Sequence, residues 1–251
     1  MATSIDHLRQ AGLLGAAEPT ALYREWVWWT LPTVSGPRDV VARAQQEGVE
    51  PTTFEALEAL TVWRAPSGRP YVRISAAASA RHLSRVTELL NGGRPSTTNR
   101  RERNAWTYRG PLGLTTGDVG LILRTGGAVV ATPGGTMMAA AGPKIGPVPN
   151  AVDMFTARAG TTWGDVFVVN GSNDQPARVL SEAIESGRAP RGSAAPSLHR
   201  LLRHEKVHSE QWARYGFVRF IWAYLVRHNP NDPCRHPLEQ EAGLADGGYR
   251  C

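Results

Sequence analysis

The chain has 251 residues, 41% of them hydrophobic, with a net charge of +6 and a sequence pI near 9.8. That is enough apolar material for one large domain or two small ones, and it excludes an intrinsically disordered chain. Arginine carries nearly all the positive charge against a background rich in Ala and Gly, so compositional bias explains part of it before any acidic partner is invoked.

The first residues, Met1-Ala2-Thr3-Ser4-Ile5-Asp6-His7, include an acid and no apolar core, unlike a secretory signal, and no run approaches a membrane span. A cytoplasmic location is the default expectation. Residues 1–105 read as mostly helical. Residues 13–29 are apolar and end in Trp26-Val27-Trp28-Trp29 before Pro32, a pattern of core packing rather than of a ligand platform. Residues 39–47 and 53–63 read as short helices, the second capped by Thr52 or Thr53. Residues 71–74 read as a strand, and 76–90 as a helix stopped by Asn91-Gly92-Gly93. Residues 95–104 are polar and basic, the best linker in the chain. Within them Arg100-Arg101-Glu102-Arg103, with Trp106 nearby, reads as a solvated run unaccompanied by any nucleic-acid-binding motif.

Strand signals follow at 106–108, 120–123, 128–131 and 163–169. Residues 133–149, rich in Gly, Ala and Pro, read as a long loop placed to act as a flap. Gly134-Gly135 lacks the Gly-Lys-Ser/Thr of a phosphate loop. Residues 179–186 read as a short helix and 187–196 as a flexible lead into the next one.

That next helix starts at Pro196-Ser197, with Ser197 as cap, and runs to Gly216. It contains His204-Glu205-Lys206-Val207-His208. Histidines four apart share one helical face, so both imidazoles reach one ion. Neutral imidazole suits Zn²⁺, and two nitrogens leave room for a third protein ligand and a water. Glu205 stands beside that position as a general base. The pattern points to metal-assisted hydrolysis, most often of a peptide bond. The plain alternative is a surface helix with two solvated histidines.

A second apolar stripe, Phe217, Phe220, Ile221, Tyr224 and Leu225, reads as a helix packed on one face and stopped by Asn229-Pro230. Pro237 then starts another helix. Glu239 in its first turn suits the helix dipole or serves as third metal ligand. Glu241 competes for that role, and the two point about 200° apart, so one of them faces the ion. No oxyanion stabiliser stands out; Tyr215, Tyr224 and Tyr249 are candidates, with Tyr224 favoured as core. Cys251 closes the sequence and is expected to fray, and a Cys234–Cys251 disulfide is not expected in a cytoplasmic protein. Cys234 with His236 is a minor alternative ligand set.

From about residue 158 to 249 the chain resembles a group of uncharacterised bacterial zincin-like proteins, metallopeptidases of the HExxH…E, gluzincin type. The resemblance is carried by Thr161-Thr162-Trp163-Gly164-Asp165-Val166-Phe167-Val168, by His204-Glu205-Lys206-Val207-His208-Ser209-Glu210-Gln211-Trp212, by Gly216, Phe217 and Ala223-Tyr224-Leu225, and by Pro237-Leu238-Glu239-Gln240-Glu241-Ala242. His236 stands where the family usually has Asn. The resemblance implies a zincin-like domain over 106–251, after a mostly helical region 1–105 of unassigned role, in an α+β fold. It implies His204, His208 and Glu239 as the zinc ligands, since Glu239 holds the family's relation to Ala242. Glu205 is then catalytic and the substrate a peptide or protein. In that picture residues 161–170 form a strand along the cleft whose free edge pairs with the substrate. The alternatives are a zinc hydrolase of a non-peptide amide or ester and a non-catalytic zinc-binding interaction protein.

Overall fold

A computed structural model describes residues 1–94, 99–108, 118–142, 160–169, 174–190, 193–227 and 233–251. Helix and sheet are mixed, as expected of an α+β chain. The sheet has six strands, β1 (Val62–Arg64), β2 (Pro70–Ile74), β3 (Ala128–Ala131), β4 (Met137–Ala140), β5 (Gly160–Trp163) and β6 (Val166–Val169), in the order β1-β2-β3-β4-β6-β5. All neighbours are antiparallel except β4 and β6.

The inner strands β3, β4 and β6 are Ala-Val-Val-Ala, Met-Met-Ala-Ala and Val-Phe-Val-Val, buried throughout. Continuous apolar runs of this kind suit a sheet covered on both faces. Successive side chains alternate between those faces. Val72, Val129, Ala131, Met137, Ala139 and Val168 join a core with Leu8, Tyr23, Trp26, Val40 and Leu83 of the earlier helices. Tyr71, Val130, Met138, Ala140 and Phe167 join another with Leu180, Ile184, Leu198 and Leu201. The expected boundary near residue 105 runs through this sheet, because Val72 of β2 pairs with Ala131 of β3.

The helices among the described residues are α1 (Ala2–Gln10), α2 (Ala21–Thr30), α3 (Asp39–Glu47), α4 (Glu55–Glu58), α5 (Ala77–Leu90), α6 (Arg100–Arg103), α7 (Val119–Arg124), α8 (Pro176–Ser186), α9 (Leu198–Tyr215), α10 (Phe217–Arg227) and α11 (Pro237–Ala242). Trp26 on α2 is fully buried, as its pattern predicts, while Trp28 is half exposed. On α10 Phe220 is buried, and Ile221 and Tyr224 pack beside it in a cluster with Trp212 and Leu238.

Several segments depart from expectation for local reasons. The helix expected over 53–63 stops at Glu58, and Val62-Trp63-Arg64 turns into β1 against β2. Residues 120–123 are helical because the Asp118 side chain caps α7, accepting from Leu121 N–H at 2.9 Å. The strand expected at 106–108 is instead a 3-10 turn whose Asn104 carbonyl accepts from the Thr107 N–H and hydroxyl at 2.9 and 2.7 Å. Within the expected loop 133–149, residues 137–140 are the central strand β4. Residues 143–149, the rest of the expected flap, lie outside the described residues. The single strand expected over 161–170 is a hairpin that reverses at Gly164-Asp165, with Gly164 at φ 54°.

The largest departure is Arg100. Expected in a solvated linker, it is 1% exposed and donates to the Asp165 carboxylate at 2.7 Å, to Ser209 at 3.0 Å and to the Gly135 carbonyl at 2.7 Å. Asp165, wholly buried, also accepts from Asn104 at 2.8 Å and from the Tyr108 hydroxyl. Burial and then the Asp165 charge push the Tyr108 phenol well up. This network pins α6 and the β5–β6 turn to the back of α9.

Candidate metal centre

Ser197 caps α9, accepting from Arg200 N–H at 3.3 Å, and the helix runs unbroken to Gly216. His204 and His208 therefore stack one turn apart, 2% and 7% exposed, with their Nε2 atoms 3.0 Å apart. Glu239, in the first turn of α11, brings Oε2 to 3.3 Å from one Nε2 and 3.4 Å from the other. These are the three residues that the sequence nominates as ligands. They form the one His/Cys/Asp/Glu cluster of metal-binding geometry among the described residues.

The surrounding hydrogen bonds decide what these atoms can do. His204 Nδ1 faces the Gly243 carbonyl at 3.1 Å, so Nδ1 carries the proton. His208 Nδ1 faces Gln211 Oε1 at 2.8 Å. Gln211 Nε2 donates to the Leu238 carbonyl at 2.9 Å and to Glu241 at 3.1 Å, so its Oε1 is an acceptor and His208 Nδ1–H the donor. Both Nε2 atoms then present lone pairs to each other and to Glu239 Oε2, a buried oxygen that no hydrogen bond satisfies. Three acceptors converging in a buried space could hold a metal ion. The edges also fit, since a tetrahedral ion with bonds of about 2.0–2.1 Å has ligand–ligand edges of roughly 3.3 Å.

Without an ion, a proton takes that place. Burial opposes charge on His208, but the hydrogen bond and charge of Glu239 outweigh it and hold its pKa up to about 9. Burial would raise Glu239, yet the two imidazoles hold it well below the usual carboxylate range. The His208 proton stabilises the ion-free fold fully below the unfolded value of 6.5 and progressively less as pH rises through about 9. Metal binding at pH 7.5 must displace that proton. Calorimetry in buffers of differing ionisation enthalpy is expected to show about one proton released per ion, with affinity falling about tenfold per unit below pH 9. No proton release would place the ion elsewhere.

Four further residues complete the site. The Tyr224 hydroxyl donates to Glu239 Oε1 at 3.1 Å, which leaves Oε2 for the ion. Tyr224 is thus half-buried support for a ligand rather than core alone. Gln211 joins the α9 ligands to the α11 ligand through the two contacts above. Thr162 on β5 shares the face of its partner Phe167, the face on which α9 packs, and donates to Glu205 Oε2 at 2.7 Å. Trp212 ties the same strand to α9 by donating from its indole to the Thr162 carbonyl at 2.9 Å. None of these four contacts is readable from helical periodicity; the glutamine one turn after His208 is the nearest to a sequence signal.

Glu241 is turned outward, paired with Arg214 and holding Gln211. Tyr215 lies under the Arg214 guanidinium at 5.4 Å, while Tyr249 sits beside His204 with ring centroids 6.1 Å apart. Burial and then Glu239 push the Tyr249 phenol up. His236 turns Nε2 to the Tyr224 carbonyl at 3.2 Å and is not in the cluster. Cys234 is disulfide-bonded to Cys251 with Cα atoms 5.9 Å apart, contrary to the expectation of unpaired thiols and a frayed end. The reason is that residues 243–251 double back along α9 and return Cys251 to the turn that precedes α11. No helix among the described residues is long and apolar enough to cross a membrane. No protein-family model, curated protein or solved structure matches this chain.

Proposed function

We propose that the chain is a zinc-dependent hydrolase of the zincin type, acting on a peptide bond. The observation that carries this is the convergence of three lone-pair donors, with no fourth protein ligand in the cluster among the described residues, beside a carboxylate that is not itself a ligand. A closed four-ligand set would favour a structural ion, and three protein ligands leave a position for chemistry. His204, His208 and Glu239 hold the ion. Zinc supplies Lewis acidity towards a carbonyl and a water acidified towards neutrality.

Glu205 does the proton work. Thr162 holds its Oε2, and its charge is felt by both His208 and Tyr249, which puts it close to the cluster. It accepts a proton from the attacking water and delivers one to the departing amine. A peptide is favoured over a small ester because β5, which packs on α9, is an edge strand of the sheet among the described residues. An extended chain adds to such an edge through main-chain hydrogen bonds. Trp212 already takes the Thr162 carbonyl.

The test is digestion of a random peptide library by zinc-loaded protein. Cleavage is expected to stop with a chelator and return with added zinc. Cleavage that persists after complete removal of metal would sink the proposal.

A further inference from the structure

We propose that residues 243–251 are a cover for the metal centre, latched shut by the Cys234–Cys251 disulfide and released when a dithiol reduces it; this rests on the metal-site reading above. The segment touches the site at every step. The Gly243 carbonyl holds His204 Nδ1 at 3.1 Å. Asp246 takes Arg200 at 2.6 Å and also pairs with Arg203, both from α9. The Gly247 backbone lies so close to the ligand that a Cβ there would fall 2.7 Å from Cε1 and 2.9 Å from Nε2 of His204. Gly248, at φ +82°, has no such room on its other side, where a Cβ would meet the Ala194 and Ala195 backbone at 2.4 Å. The chain is therefore threaded between a metal-binding imidazole and residues 194–195, where nothing larger than glycine fits. Tyr249 follows, next to the same ring.

Besides these contacts and a Tyr249 hydrogen bond to Glu239, the strap is tied to α9 by ion pairs. The Asp246 pairs involve arginines 41% and 63% exposed, and ion pairs at such positions are weak. The disulfide closes the loop from Cys234, just before α11, to Cys251, and so restrains the segment between them. Cys251 is exposed and Cys234 partly so, which leaves the bond open to attack. A thiolate of the dithiol attacks Cys251 Sγ, the S–S bond breaks, and Cys234 leaves as a thiolate that takes up a proton. The second thiol then attacks the dithiol's own sulfur in the mixed disulfide, and Cys251 leaves and is protonated. Two electrons and two protons pass to the cysteine pair, and the dithiol becomes a disulfide. In an oxidising compartment the ion is trapped under the strap. In a reducing one it exchanges, and the same movement opens the ligands to a substrate.

The test compares zinc-loaded oxidised protein, the same protein reduced with a phosphine (thiols bind zinc themselves), and unreduced Cys251→Ser. Each is mixed with excess chromogenic chelator and zinc transfer is timed, with circular dichroism as the check on folding. Transfer about tenfold faster or more in the reduced protein and in the variant is expected. Should Cys251→Ser not fold, oxidised against reduced wild type makes the comparison alone. Full zinc loading with rates within about twofold of each other would overturn the cover and leave the metal centre standing. Failure of every form to load zinc would overturn both.

Discussion

Glu205→Gln is expected to keep its zinc and to lower kcat on any cleaved peptide by about 10²–10⁴-fold, the usual worth of a positioned general base. Glu205 is not among the three clustered ligands, so the exchange leaves the ion's donors intact. The amide has nearly the same shape, and its carbonyl oxygen can still accept from the Thr162 hydroxyl that now sits 2.7 Å from Oε2. What is lost is basicity alone. Metal content and thermal stability should stay level while kcat falls, a separation that a misfolded variant could not produce. Thr162→Val offers a graded control, because it frees the carboxylate without removing it. Full turnover by Glu205→Gln would mean that another group moves the proton.

The second large effect concerns stability. Arg100→Met is expected to destabilise the fold by about 3–5 kcal/mol in urea denaturation at fixed metal concentration. The methionine fills much of the volume but leaves the Asp165 carboxylate, 0% exposed, facing Asn104, Tyr108 and Ser209 without its cation. An uncompensated charge in that position is far costlier than the loss of an exposed pair. Arg178→Ala, which breaks an exposed i,i+4 pair with Glu182 on α8, should change stability by less than about 1 kcal/mol. Ser209 lies on α9 one residue beyond His208, so the same variant also loosens the support behind the ligand helix. A cost for Arg100→Met as small as that of Arg178→Ala would show that the buried network is not under load.

The three clustered residues were legible because they follow a helical rule. His204 and His208 are one turn apart, and Pro237 announces the helix that carries Glu239. Helical spacing left Glu239 and Glu241 both open, the resemblance favoured Glu239 through its relation to Ala242, and in the structure Glu239 joins the histidines while contacts with Gln211 and Arg214 turn Glu241 away. Ser197, Gly48 and Asn91 mark helix ends that the chain advertises by residue type. Some departures, Arg100 and β4 among them, come from long-range contacts that override local composition, while others, such as α7 with its Asp118 cap, turn on local contacts. Arg100 looks solvated until Asp165 arrives from the β5–β6 turn. Met137-Met138-Ala139-Ala140 has no period to read because both of its faces are buried. The turn Gly164-Asp165 was readable, since a Gly-containing pair between apolar runs is a hairpin signal. The disulfide was not, because pairing depends on the path of residues 243–251 over α9.

Metal analysis by mass spectrometry, on wild type beside Glu239→Ala and Glu241→Ala, tests the metal centre most directly. About one zinc per chain is expected in the wild type and in Glu241→Ala, and none in Glu239→Ala, since removing one of three ligands costs about 4 kcal/mol of binding, or roughly a thousandfold. Wild-type protein that holds no zinc after reconstitution, or a Glu239→Ala variant that keeps it, would contradict the assignment of His204, His208 and Glu239 as the site.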